Sequence, residues 1–405
     1  MRDLAIFPGA LFTQPTLLEL SQNYCSHKCA FCFANLNKPD RKSDIKSTLK
    51  FIQNIFNPEN SAFHTLEAYF IRHHHPVLMS NRSDPFAESN YREAVPLIQT
   101  MQSLGISIAF QTRGASSPKA KEAMYEIIDT LNPSCFYISI NQLDEDIKNQ
   151  IEKGSPSIKS RLELLEYLAK KNHHTFIGMN PLTPEWMLFD EAKTLINIAK
   201  DLGVKGIYTQ MLHLAPLQVK NLTQKEKQDI GQNLINLALK SFDHDARETH
   251  RTLMRQVWEY GNSVGIPTTY KGDPYPTTYW QPYHECYKHT VPTLSDLINW
   301  LVKEKHELLT FDMWWNFFEP YFPKGKWKID NFIHSFDKLA GYKYKIPTNM
   351  EFKQLFKYIW LDEENTLNPI DHPSFQWLED EDGNIYGDQN GMKVMYFINP
   401  NVSYS

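Results

Sequence analysis

Six short apolar runs recur between residues 17 and 211, and a helical pattern separates most of them from the next. The runs fall at 17–21, 76–80, 106–112, 135–140, 174–179 and 206–211. Helical spacing covers 42–56, with Ile45, Leu49, Ile52 and Phe56 on one face, then 91–104, 119–131, 156–171 and 186–202. Gly105 closes the second of these helices. A parallel strand pair needs a crossover of a dozen or more residues, usually a helix. The alternation therefore predicts parallel βα units with apolar strands covered by helices, an α/β fold. Six units do not close the eight-stranded barrel, so the expected architecture is a partial (β/α)6 TIM-like barrel. Ligands of such sheets sit at the carboxyl ends of the strands.

The pattern changes further along. Residues 229–260 read as one or two helices flanking the barrel, and 265–276 as a linker rich in proline, glycine and threonine. Beyond it lie Trp300, Trp314, Trp315, Trp327, Trp360 and Trp377, short helices near 293–304 and 350–360, and an acidic hairpin turn at 380–386. The expected organisation is a barrel domain over 1–275 and a mixed, aromatic-rich C-terminal extension over 276–405 that covers the substrate. Buried aromatic cores and base-stacking surfaces both fit that composition.

The first apolar run leads directly into Cys25-Ser26-His27-Lys28-Cys29-Ala30-Phe31-Cys32. Three of the chain's five cysteines lie within these eight residues, spaced Cys-x3-Cys-x2-Cys. Thiolates so close can turn toward one soft metal centre, which selects zinc, copper or an iron–sulfur cluster. A structural zinc site wants four closed ligands. Three thiolates on a cube cluster leave one iron open, and an open coordination position is where a metal does chemistry. Cys135 and Cys286 are far apart, so no disulfide framework is suggested and a reducing cytoplasm is the expected compartment. With 42 Lys and Arg against 47 Asp and Glu, the net charge of −5 does not mark a nucleic-acid binder, and no stretch approaches the length of a membrane span.

The triplet, with Phe31 just before its last cysteine, resembles the signature of the radical S-adenosylmethionine (SAM) enzymes. The resemblance implies a 4Fe-4S cluster on Cys25, Cys29 and Cys32, and SAM as the second cofactor, chelated to the open iron. It implies one-electron cleavage of SAM to a 5′-deoxyadenosyl radical that abstracts hydrogen from a substrate. An electron donor such as flavodoxin or ferredoxin would be the protein partner. The likeness covers roughly 16–215 and is nearest to the branch around spore photoproduct lyase.

Further residues carry it. Ser80 and Asn81, with Asp84, end the second strand, where the family receives the SAM amino group. Arg113 ends the third strand, where the branch carries a basic residue for the SAM carboxylate, a charge-assisted clamp. Ser139 matches a serine that contacts SAM, and Phe31 would lie near the adenine. Asn180 and Gln210 end the fifth and sixth strands and face the same mouth as cofactor or substrate contacts. Glu152 and Arg161 resemble a branch motif and are read as pairing across a turn.

The sequence also departs from that branch. Asn81 stands where the photoproduct lyases carry their hydrogen-donating cysteine. Cys135 begins a strand and reads as a buried core thiol. His284, Cys286 and His289 lack a fourth metal ligand, and His73-His74-His75 reads as a solvated turn. No residue is assigned to hydrogen-atom transfer. A small-molecule substrate is favoured over nucleic acid, for which the basic run Lys324-Gly325-Lys326-Trp327-Lys328 and Lys343 and Lys345 speak. A metal-stapled structural protein is the non-enzymatic alternative.

Overall fold

The computed structural model describes residues 4–5, 15–18, 20–22, 25–32, 41–42, 45–79, 83–212, 214, 216–239, 247–270, 286–287, 291–327, 350–360 and 374–399. The largest sheet has eight strands, and their spatial order follows the chain. It runs Leu4–Ala5, Thr16–Leu18, Val77–Met79, Ile108–Thr112, Cys135–Ser139, His174–Met179, Gly206–Thr209 and Thr268–Tyr270. A sheet that advances in one direction without a reversal is the wall of a barrel rather than a doubly wound sheet. The six expected strands are its centre, and the α/β partial-barrel architecture is present.

Registered parallel pairing aligns the last five strands. Thr112 stands beside Ile138, Ile138 beside Ile177, Ile177 beside Ile207, and Ile207 beside Thr268. Register partners share a face, so Phe110 and Phe136 stack with centroids 4.5 Å apart and Phe86 stacks on Phe110 at 5.7 Å. The intervening helices start where the sequence offers a cap. Ser117 Oγ accepts the amide of Ala120, Asp144 accepts those of Asp146 and Ile147, and Ser157 accepts that of Ser160. These caps open helices Pro118–Thr130, Glu145–Ile151 and Ile158–Lys170.

One element departs from expectation. The run read as a linker contains strand Thr268–Tyr270. Its parallel pairing with Gly206–Thr209 creates it, and Asn262 fixes its start, accepting the Thr268 amide at 3.1 Å and donating to the Thr268 carbonyl at 3.2 Å. Three residues carry no periodicity of their own; a partner sixty residues away decides their conformation.

The chain divides into two compact units. The first comprises Met1, Leu18–Lys46 and Leu78–Gly272; the second comprises Arg2–Leu17, Ser47–Val77 and Asp273–Ser405. The second unit joins two stretches from the N-terminal part of the chain to the residues beyond Gly272. Helix Leu66–Arg72 gives it Tyr69 and Phe70, which share a core with Trp314, Trp315, Phe318, Phe356 and Trp360. Trp314 and Trp360 are fully buried, so these rings form a core rather than a stacking surface. The acidic turn is present, with Asp380 accepting the amides of Asp382 and Asn384.

Cys135 is fully buried, as expected. His75 is 4% exposed, so the histidine run does not form a wholly solvated turn. His284, His289, Lys328, Lys343 and Lys345 lie outside the described residues. Among the described residues, no helix is long and apolar enough to cross a membrane.

Candidate active site

The cysteine loop is held by its backbone. The amide of Lys28 donates to the Cys25 carbonyl and that of Cys32 to the Cys29 carbonyl, so the loop consists of two successive turns. Lys28 takes a left-handed φ of 49° between them. The amide of Ala30 donates to the Ile151 carbonyl at 2.8 Å, the amide of Gly154 to the His27 carbonyl at 2.9 Å, and Cys29 forms an antiparallel bridge with Glu152. Ser26 and Ser89 exchange bonds, each hydroxyl accepting the other's amide. Gly154 must be glycine here: a Cβ would stand 1.9 Å from the Ser26 carbonyl oxygen.

Loops after three parallel strands converge on it. Asp84 follows Val77–Met79 and is 6% exposed. Its carboxylate accepts the Phe86 amide, the Thr112 hydroxyl and the Arg113 amide at 2.9, 2.8 and 2.6 Å. His27 Nε2 stands 3.1 Å from the same carboxylate, and its Nδ1 lies 3.3 Å from the Gly154 carbonyl. Burial works against charge on Asp84, but His27, the Arg113 amide and the Thr112 hydroxyl overcome it and leave the carboxyl below its usual range.

Arg113 ends strand Ile108–Thr112, and its Nε donates to Glu152 Oε1 at 3.0 Å. The other oxygen of Glu152 receives Arg161, and both residues are fully buried. Arg161 also donates to the Ser139 carbonyl at 3.0 Å, the Ser155 hydroxyl at 2.7 Å and the Pro156 carbonyl at 3.3 Å. Burial opposes ionisation of Glu152, yet Arg161 and then Arg113 bring its pKa down to about 2. The sequence reading of this pair as a turn contact captured the partners but not their burial. Burial makes the pair far more consequential than an exposed one.

The thiols sit where charge is costly. Burial, aided by Asp84, pushes Cys25 up to about 12, and burial likewise raises Cys29, with Arg113 opposing. Cys25 and Cys29 each feel the field of Cys32, and Cys29 that of Cys25, so the three sulfurs share one locality. Phe31 packs tilted against Trp186 with centroids 5.2 Å apart, and the Arg113 guanidinium lies 5.6 Å over the Phe31 ring. Cys29, Ala30, Phe31 and Trp186 join Leu212, Leu214 and Ile230 in one apolar cluster.

The donor set fits a cube cluster. It offers three soft sulfurs, a dry apolar flank and two guanidiniums nearby. Among the described residues, no group of three or more His, Cys, Asp or Glu stands close enough to hold a single metal ion. Cluster thiolates bind different irons and stand farther apart than ligands of one ion.

Of the residues singled out from sequence, Cys25, Cys29, Cys32, Phe31, Asp84 and Arg113 are joined by these contacts, and Ser139 reaches them through Arg161. Asn180 and Gln210 meet each other at 3.3 Å. Ser80 and Asn81 lie outside the described residues. Sequence reasoning missed His27, Ser89, Gly154 and Trp186. The position of His27 between two of the cysteines was the available signal for it.

No family model matches the chain, and no curated protein matches it. The fold is similar to that of several solved structures. SuiB from Streptococcus suis bound to its precursor peptide SuiA matches at 15% identity and TM-score 0.42, covering 64% of this chain and 49% of that one. SuiB bound to S-adenosylmethionine matches at 14% and 0.43, covering 64% and 51%. A spore photoproduct lyase variant with bound AdoMet and dinucleoside spore photoproduct matches at 14% and 0.42, covering 63% and 76%. The chain thus spans about half the length of the SuiB chains it matches.

Proposed function

We propose that the protein is a radical SAM enzyme in which Cys25, Cys29 and Cys32 hold a 4Fe-4S cluster. The carrying observation is the loop itself: three thiols of one locality, fixed by backbone bonds to residues 151–154, beside the carboxyl ends of parallel strands. When bound, the cluster supplies one electron to the sulfonium of SAM, the source of a 5′-deoxyadenosyl radical.

The chain's residues do the rest. The three thiols ionise as they take iron, because a bound metal replaces the solvation that burial removed. Arg113, oriented by Glu152 through Nε, receives the SAM carboxylate. Asp84 holds His27, the Arg113 backbone and the loop before residue 86 in one arrangement. Phe31 and Trp186 exclude water on one flank. Ser80, Asn81, Ser139, Asn180 and Gln210 are the further SAM or substrate contacts. The substrate is a small molecule, in keeping with the net charge of −5; an electron donor of the flavodoxin or ferredoxin kind supplies the electron, in a cytoplasmic setting.

Anaerobic reconstitution with iron and sulfide, followed by SAM and dithionite, tests this reading. The expected product is 5′-deoxyadenosine, absent from Cys29→Ala. A protein that takes up zinc and no sulfide, or a Cys29→Ala variant that still makes the product, overturns it.

A further inference from the structure

Two charged residues flank the cysteine loop and are joined to each other, the Asp84 carboxylate accepting the Arg113 backbone amide at 2.6 Å. The Asp84 carboxylate stands 3.1 Å from His27, which lies between Cys25 and Cys29 in the loop. The Arg113 guanidinium lies 5.6 Å over the ring of Phe31, between Cys29 and Cys32 in the loop, and its Nε donates to Glu152. Behind Cys29, Glu152 is bridged to the cysteine's own backbone and shared by two guanidiniums. One carboxylate against two guanidiniums leaves a positive charge uncompensated. Lys148, one turn earlier on helix Glu145–Ile151, adds another and is 4% exposed. Its charge is disfavoured by burial first and by Arg161 next, while Glu145, Glu152 and Cys29 favour it. Nothing about holding a loop in place requires an excess of buried cations. An apolar pair would pack as well without the desolvation cost of four charges.

We propose that Arg113, Arg161 and Lys148, set against one buried acid, Glu152, with Glu145 at the exposed start of the helix, form a cationic bed behind Cys29 that raises the reduction potential of the cluster held there. The inference rests on the cluster assignment made above. The step is the entry of one electron from an external low-potential donor into the oxidised cluster. No bond forms or breaks and no proton moves; the cluster gains one negative charge and the donor loses one. A fixed positive field in a poorly screened site favours the more negative reduced state. Asp84, held against the loop through His27, opposes this with one negative charge. Glu152, Arg161 and Lys148 are positioning residues here, acting through the field at Cys29.

The test is a redox titration of the full chain, reconstituted anaerobically, with the reduced cluster followed by electron paramagnetic resonance. Glu152→Gln removes the acid and Lys148→Met removes a cation while keeping an unbranched chain. Charge tuning predicts opposite shifts: upward for Glu152→Gln and downward for Lys148→Met, each by about a tenfold change in the reduction equilibrium, about 59 mV for one electron. Arg161→Lys keeps the charge and stays near wild type. Should Glu152→Gln fail to fold, Lys148→Met and Arg161→Lys still decide. If the variants bind iron and sulfide like wild type but Lys148→Met does not move the potential downward, or both charge variants move it the same way, the inference falls and the cluster assignment stands. If wild type itself binds no cluster, the assignment falls and takes the inference with it.

Discussion

His27 Nε2 and Asp84 Oδ2 stand 3.1 Å apart, with 1% and 6% of their side chains exposed. The contact ties the first turn of the cysteine loop to the segment after strand Val77–Met79, and Asp84 then ties both to Thr112 and Arg113. A single carboxylate thus connects three stretches that are remote in sequence. One of its oxygens accepts from Phe86 and Thr112, the other from Arg113.

That geometry makes Asp84→Asn damaging although it is nearly isosteric. The new amide nitrogen must face a donor, either the Arg113 amide or the Thr112 and Phe86 donors. A buried donor left without an acceptor costs about 1–3 kcal/mol. Urea unfolding should show a lower midpoint with an unchanged slope, and iron per chain after reconstitution should fall. A midpoint equal to wild type would show that Asp84 is not a hub.

Acid should loosen the same region. Glu152 has its pKa held near 2, and Asp84 is also depressed. A carboxyl with a depressed folded value stabilises the fold fully above its unfolded value. That contribution is lost as pH falls through the folded one. For Glu152 the window runs from about pH 5 down to about pH 2, with a contribution on the order of 3 kcal/mol. Equilibrium unfolding across that window should show a steep loss of stability in wild type. Glu152→Gln should give a flatter profile.

Gly154→Ala offers a purely steric probe. The added methyl would overlap the Ser26 carbonyl at 1.9 Å, a backbone atom that no rotamer change can move. The loop must shift, breaking the bond from the Gly154 amide to the His27 carbonyl. We expect a melting temperature lower by several degrees and loss of cluster uptake. Gly105→Ala probes backbone strain alone, since φ is +71° with nothing within 4 Å of its Cβ. It should cost about 1 kcal/mol and leave cluster uptake intact.

Arg113 should govern SAM affinity. Calorimetric titration of the reconstituted protein should show binding at least tenfold weaker in Arg113→Ala, the loss of one charge-assisted clamp. Arg113→Lys should fall between the two, because a point charge replaces a planar fork. Equal affinity in all three proteins would assign the carboxylate to another residue.

Local pattern determined much of this protein. Strand His174–Met179 and the core of every long barrel helix are written in apolar spacing, because burying one face is a requirement that each element meets within its own residues. The cysteine triplet is equally local: eight consecutive residues suffice to bring three thiols together. Only the tertiary structure decided that Thr268–Tyr270 is a strand, that residues 47–77 belong with the distant aromatic core, and that Glu152 is buried between Arg113 and Arg161. Each of those outcomes depends on a partner far along the chain. Edge pairing, a shared hydrophobic core and the strength of an ion pair out of water are set by what surrounds a residue, and its own neighbours in sequence do not encode that.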